Sequence, residues 1–245
     1  MAVKSIQFHQ HTLDISYEIL NPNAKVDLII LHGWGSNKSI MKKAFEPYMD
    51  SFRHIYIDLP GFGKSTCNLT LSTADYARVV ELLMVHLNAQ KCIIVGHSFG
   101  GKVALLLEPQ VLVLLSSAGI YVPKPFKIHA KIALFKMLKV FGVSKLRKFF
   151  VAEDAKELSE PMYQTFKNVV NEDFASEFSD YSGKALLCWG KEDTATPLSS
   201  GRTMKELIKD SELISYTGDH FFFMKHAKDV SKNIEETFLK TLEHD

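Results

Sequence analysis

The stretch Val95-Gly96-His97-Ser98-Phe99-Gly100-Gly101 sets a serine between glycines, directly after the apolar run CIIV and directly before KVALLL. The pattern G-x-S-x-G describes a side chain presented on a tight turn from strand to helix. Glycines on either side let backbone segments approach closely and take dihedrals that a Cβ forbids. A serine hydroxyl is a weak nucleophile until a base takes its proton. Histidine does this near neutral pH, and a carboxylate on its other ring nitrogen fixes the tautomer and supports the imidazolium. The chain offers His32, His97, His220 and His226 as bases, and Glu192, Asp193 and Asp219 as carboxylates near the later motifs.

Each of these clusters follows a short apolar run. His32-Gly33-Trp34-Gly35 follows DLIIL, and LPGFGKS (Leu59 to Ser65) follows HIYID. The Ser98 turn follows CIIV, GKEDTATP with Asp193 follows ALLCW, and TGDHFFF with His220 follows ELISY. Such β-rich, nearly continuous apolar runs predict strands buried on both faces of a parallel sheet. SIQFHQHTLDISYEIL alternates apolar and polar residues in two runs, which predicts an antiparallel hairpin near a sheet edge. STADYARVVELLMVHLNAQ, SSGRTMKELIKD and KDVSKNIEETFLKTL carry helical periodicity, the first with a Ser/Thr start and an early acidic Asp75. The alternation predicts an α/β fold, with polar clusters gathered at the carboxyl ends of the strands. The interval 120–183 shows no strand signal, is rich in Phe, Leu, Met and Lys, and is expected to be a helical lid. The expected organisation is a core of residues 1–119 and 184–245 with that lid inserted before the penultimate strands.

Composition narrows the function class. The chain has 245 residues, enough for one large core with a modest insertion, and 46% hydrophobic against 23% charged residues excludes a disordered chain. A formal net charge of +1 gives no field that would attract nucleic acid. No apolar window reaches membrane-spanning length, so no stable membrane insertion is expected, and the N-terminus lacks the features of a secretory signal. Cys67, Cys92 and Cys188 are odd in number and scattered, which fits a reducing compartment. A cytoplasmic location is expected. No His/Cys/Asp cluster has metal-ligand spacing and G-x-x-x-x-G-K-[ST] is not satisfied by GFGKS, so no metal and no cofactor is expected.

The motifs HGWGS, DLPGFGKS, GHSFGG, WGKEDTATP and GDH, in that order, resemble the α/β-hydrolase family over nearly the whole chain. The family's order of nucleophile, acid and histidine implies Ser98 as nucleophile, Asp193 as acid and His220 as base. It also implies an oxyanion hole built from the backbone amides of Trp34 and Phe99. His97 adjoins the nucleophile and is expected to point elsewhere, while His32 is expected to brace the oxyanion loop. Asp219 adjoins His220 too closely in sequence to reach its imidazole well. Asp58 is expected to organise the PGFG loop. The helix after Ser98 is expected to be short, with Pro109 marking its end.

The resemblance also bears on substrate. Haloalkane dehalogenases and epoxide hydrolases of this fold carry aspartate at the turn, where this chain has Ser98, and the lipase-like HGGG loop is absent. HGWGS with DLPGFGKS is similar to the carboxylesterases that cleave pimeloyl-carrier-protein methyl ester. This implies a serine esterase acting on a small ester or thioester, with an acyl carrier protein as an expected partner. The alternatives are a C–C bond hydrolase of the meta-cleavage type and a catalytically silent ligand binder. Trp34, Met137, Leu138 and Phe222 are candidates for an apolar substrate pocket. From Lys124 to Lys148 the lid carries many cations and no acid, which would suit a carrier protein, an anionic membrane surface or plain solvent.

Overall fold

Successive residues on the central strands point to opposite sides, and both sides are apolar. The strands are β1 (Ala2–Phe8), β2 (His11–Leu20), β3 (Val26–Leu31), β4 (Phe52–Ile57), β5 (Ile93–His97), β6 (Val111–Leu115), β7 (Lys184–Gly190) and β8 (Ser211–Tyr216). They form one eight-stranded sheet in the order β1-β2-β4-β3-β5-β6-β7-β8. β1 and β2 pair antiparallel at one edge and β2 joins β4 antiparallel. Every pairing from β4 to β8 is parallel. The computed structural model describes residues 1–121 and 159–242. Met137, Leu138 and the basic stretch from Lys124 to Lys148 lie outside the described residues.

The alternation divides the interior into two layers. Ile29, Leu31, Ile94, Leu112 and Leu187 face one layer, and Leu28, Ile30, Val95, Val113 and Leu186 face the other. Burying each such side chain contributes about 1.5–3 kcal/mol, so a sheet apolar on both faces must be covered on both. The first layer is closed by α2 (Thr73–His86), α3 (Phe99–Leu106), α4 (Glu160–Val169) and α6 (Leu198–Leu207), through Tyr76, Val103, Met162 and Met204. The second is closed by α1 (Lys38–Phe45) and α7 (Phe223–Leu242), through Met41, Phe45, Ile234 and Phe238. α2 begins with a capping box in which Ser72 and Asp75 satisfy each other's backbone amides. α3 ends at Leu106, ahead of Pro109 as the sequence predicts. No helix among the described residues is long and apolar enough to cross a membrane.

Between β6 and β7 the described residues are helical, in α4 and in α5 (Ala175–Asp180). A buried cation that periodicity did not single out ties this segment to α3. Lys102 is 2% exposed, and its Nζ donates to the Val169 carbonyl at 2.6 Å and to Glu172 Oε2 at 2.7 Å. The ammonium lies 5.1 Å from the Phe174 ring centroid, and Thr73 Oγ1 donates to the same Glu172 oxygen. Burial pushes the Lys102 ammonium down from its ordinary pKa, and Glu172 opposes that shift. Taking away the anion leaves a buried charge without its partner, whereas replacing the cation with an apolar side chain of similar length removes the charge itself. Glu172→Ala is therefore expected to cost about 1.5–3 kcal/mol of unfolding free energy. Lys102→Met should cost less in the same denaturant titration, and the reverse order would contradict this reading of the contact.

Candidate active site

The site is assembled at the carboxyl ends of β3, β5, β6, β7 and β8. β5 ends at His97, and Ser98 turns the chain into α3 with φ 51° and ψ −116°. A residue with a Cβ rarely takes positive φ, and its neighbours must hold it there. The Ser98 amide donates to the Leu115 carbonyl at 3.1 Å, and the Ser98 carbonyl accepts from Gly101 at 3.0 Å and from Ala118 at 3.1 Å. The strand and helix run so close that a Cβ on Gly96 would lie 2.4 Å from the Gly100 carbonyl oxygen. One on Gly100 would lie 2.5 Å from the His32 carbonyl oxygen. These two positions admit only glycine.

The loop after β3 lies against this turn. A Cβ on Gly33 would sit 3.0 Å from the Ser98 Cβ. The Ser36 amide closes a turn onto the Gly33 carbonyl at 3.2 Å, with Trp34 and a positive-φ Gly35 between them. His32 braces that loop as expected. Its Nε2 accepts from the Leu59 amide at 3.0 Å, so the proton is on Nδ1, which donates to the Gly33 carbonyl at 2.7 Å. Burial holds His32 down at about 4, so it is neutral in ordinary buffers. Asp58 organises the following loop: its carboxylate accepts from the Lys38 and Lys64 amides and from Lys38 Nζ at 2.5 Å.

The carboxylate at the end of β7 meets the histidine at the end of β8. His220 Nδ1 donates to Asp193 Oδ2 at 2.8 Å. The other oxygen, Oδ1, accepts from the amides of Ala195 at 2.8 Å and Thr196 at 2.9 Å. Burial pushes the Asp193 carboxyl up, but the bonds from His220 and the Thr196 amide outweigh it and hold the group down at about 2. The rivals are engaged elsewhere. Glu192 accepts from the Gly218 amide, and Asp219 accepts from Phe221 at 2.9 Å within its own turn. His226 bonds the Thr217 carbonyl at 2.8 Å.

Sequence reading missed some supports. Thr196 Oγ1 stands 2.9 Å from Asp193 Oδ2, 2.9 Å from the Ser116 carbonyl and 3.3 Å from His220 Nδ1. Trp189 Nε1 donates to the Thr196 carbonyl at 2.8 Å and pins the same loop from below. The spacing D-T-A-T was the available signal, since a hydroxyl a few residues after an aspartate commonly bonds back to it. His97 does not simply point away: its Nε2 bonds the His220 carbonyl at 3.0 Å.

The apolar surroundings also differ in part from expectation. Trp34 packs edge-on to Phe62 at 4.8 Å and Phe99 at 5.6 Å, and lies 5.4 Å from Phe166 of α4. Among the described residues the buried Trp34 indole N–H has no hydrogen-bond partner. Phe222 does not line this wall. It stacks on Tyr216 at 5.3 Å and is 1% exposed in the layer under α1 and α7, because the turn after His220 sends it beneath the sheet. Phe221 is the aromatic beside His220, edge-on to it at 5.6 Å and 43% exposed. A cavity of about 480 Å³, lined among others by Lys102, Ile120, Val170, Thr194 and Pro197, adjoins the acid loop. A slightly larger one of about 500 Å³ lies at Pro109, Gln110 and Gly183, by the amino ends of β6 and β7 and away from Ser98. Among the described residues no three His, Cys, Asp or Glu side chains converge as metal ligands.

If Asp193 orients His220, Asp193→Asn should keep the fold and lower turnover on the order of 10⁴-fold, with Asp219→Asn costing far less. A larger loss at Asp219 would assign the wrong carboxylate. The depressed pKa has a further consequence for stability. Asp193 contributes above its unfolded value of 3.8, and that contribution is lost as pH falls toward about 2. Acid titration of unfolding free energy should show this loss in the wild type and not in Asp193→Asn.

Comparison with known proteins bears on the family and the fold. Residues 28–232 match the model of the Alpha/beta hydrolase family. A 2-hydroxy-6-oxononadienedioate/2-hydroxy-6-oxononatrienedioate hydrolase of Pseudomonas putida is 28% identical over 226 residues, covering 77% of this chain and 79% of its own. A pimeloyl-[acyl-carrier protein] methyl ester esterase of Vibrio vulnificus is 38% identical over 78 residues, 32% of this chain and 29% of that protein. An esterase from Exiguobacterium antarcticum superposes with a TM-score of 0.75 at 21% identity, covering 96% of this chain and 98% of that one. Because the family model runs from β3 into α7 and so spans most of the chain, this chain belongs to the α/β-hydrolase family.

Proposed function

We propose that the chain is a serine hydrolase that cleaves a carboxylic ester or thioester through an acyl-enzyme. The observation that carries this is the 2.8 Å contact between Asp193 and His220, on the loop that also bonds the residue preceding Ser98. Ser98 Oγ attacks the carbonyl carbon while its proton passes to His220 Nε2, the ring nitrogen not held by Asp193. The oxygen that gains charge is met by the backbone amides of Trp34 and Phe99. The first amides of a helix have no intrahelical acceptor, so Phe99 has its N–H to give. His220 then returns the proton to the departing alcohol or thiol, and water activated by the same ring releases the acid.

The wall beside the turn supports an apolar acyl group. Trp34, Phe62, Phe99 and Phe166 present ring faces and edges suited to an apolar acyl chain. The Vibrio vulnificus relative supports an acyl ester borne on a carrier protein as one form of that substrate. In this reading the segment between β6 and β7, residues 120–183, is the lid of the pocket and the remainder is the hydrolase core.

A second reading, a C–C bond hydrolase of the meta-cleavage type, has one observation in its favour: the Pseudomonas putida relative, whose name records hydrolysis of 2-hydroxy-6-oxo-dienedioates, aligns over 77% of the chain. A silent binder is disfavoured by the presence of Ser98, Asp193 and His220 at successive strand ends, the last two in hydrogen-bond contact. p-Nitrophenyl esters from acetate to laurate should be hydrolysed, with a preference for medium chains, and Ser98→Ala should abolish turnover. A chromogenic 2-hydroxy-6-oxo-dienoate should be cleaved far more slowly. Faster cleavage of the dienoate than of every ester would overturn the ester reading in favour of the second.

A further inference from the structure

His97 is 1% exposed and completely enclosed by the last residues of β5 and the loop after β8. Its ring lies 4.6 Å from that of His220, 5.0 Å from Phe221 and 4.9 Å from Phe223. The Nε2 atom is 3.0 Å from the His220 carbonyl oxygen. A carbonyl only accepts, so the ring proton is on Nε2 and Nδ1 is a bare lone pair. Among the described residues that buried lone pair has no partner, and it faces Gly33, where an added Cβ would lie 3.0 Å from it.

A buried acceptor left unpaired is a net cost, and an aliphatic side chain of similar volume would fill the space without it. What the imidazole provides in return is a single bond, and that bond goes to the backbone of the residue read above as the base. Since Ser98 is its immediate neighbour, His97 links the nucleophile turn to a loop 123 residues away in sequence. We propose that His97 is a positioning residue: its neutral ring ties the backbone of His220 to the nucleophile turn and fixes the distance between base and serine.

The ring is kept neutral by its surroundings. Burial pushes His97 down to about 3, and the positive charge that His220 would carry lowers it further. Asp193 and the His220 carbonyl act in the other direction, and His32 adds a small further lowering. A second cation beside an imidazolium at 4.6 Å would oppose proton transfer from Ser98, so a neutral tether suits the chemistry where a charged one would hinder it.

This rests on the serine-hydrolase reading, and the test separates the two. Glutamine places an amide N–H where His97 carries Nε2–H, leucine fills the space with no donor, and asparagine carries a donor too short to reach. Steady-state kinetics on a p-nitrophenyl ester should show His97→Leu reduced on the order of 10²-fold in kcat, the cost of a base displaced by about 1 Å, with KM nearly unchanged. The acid limb of the kcat pH profile should move in the same variant, because the hydrogen bonding and orientation of His220 have changed. His97→Gln should recover most of kcat and the wild-type limb. If the leucine variant does not fold, His97→Asn takes its place against His97→Gln. Wild-type kcat and pH profile in the donor-less variant, or a glutamine variant as slow as it, would overturn the positioning role. Ester hydrolysis that persists in Ser98→Ala would instead overturn the reading beneath it.

Discussion

Ser98 is held at φ 51° and ψ −116°, a conformation that costs a residue with a Cβ about 1–3 kcal/mol, and the surrounding packing has to supply that energy. β5 and α3 do so by meeting almost backbone to backbone, which requires bare Cα atoms at Gly96 and Gly100. A hydrogen bond from the Ser98 amide to the Leu115 carbonyl, and bonds from the Gly101 and Ala118 amides to the Ser98 carbonyl, then fix the turn on both sides. The strain is supported by the most deeply buried part of the sheet, where β3, β5 and β6 carry fully enclosed aliphatic residues on both faces. The site is therefore a feature of the core, and its geometry is as stable as the core is.

Around that turn the electrostatics are arranged by burial and by hydrogen bonding in opposite senses. His32 and His97 are enclosed and neutral, each donating its single ring proton to a backbone carbonyl. His220 keeps 19% of its side chain exposed and faces an Asp193 carboxylate with no exposed surface at all. His220 thus meets solvent, while His32 and His97 are enclosed and bond the loops after β3 and β8. The same division applies to the acids. Asp193 is organised by amides and a hydroxyl around the imidazole, whereas Asp58, Glu192 and Asp219 hold loops.

Much of this was legible in the sequence because each motif sits directly after an apolar run, and a parallel sheet brings all such positions to one edge. Period-two alternation revealed the β1–β2 hairpin, and the S-T-A-D start revealed α2 with its capping box. The clusters that chain order brought together in the α/β-hydrolase pattern include the contact between Asp193 and His220. What escaped were features fixed by three-dimensional packing. Nothing in GDHFFF says which phenylalanine stays by the histidine, and the turn chose Phe221 over Phe222. No local signal marks Lys102 as enclosed; it is buried because Glu172 and the Val169 carbonyl arrive from a distant segment. His97 could not be assigned from its place beside Ser98, since its partner is a carbonyl more than a hundred residues away.

The central claim is that Ser98 is a nucleophile activated by His220. Intact-mass spectrometry after treatment with a fluorophosphonate, followed by peptide mapping, tests it with no assumption about the natural substrate. The account predicts a single covalent adduct on the peptide containing Ser98, formed quickly in the wild type, slowly in His220→Ala and not at all in Ser98→Ala. An adduct on another residue, or a folded wild-type protein that takes up no label, would contradict it.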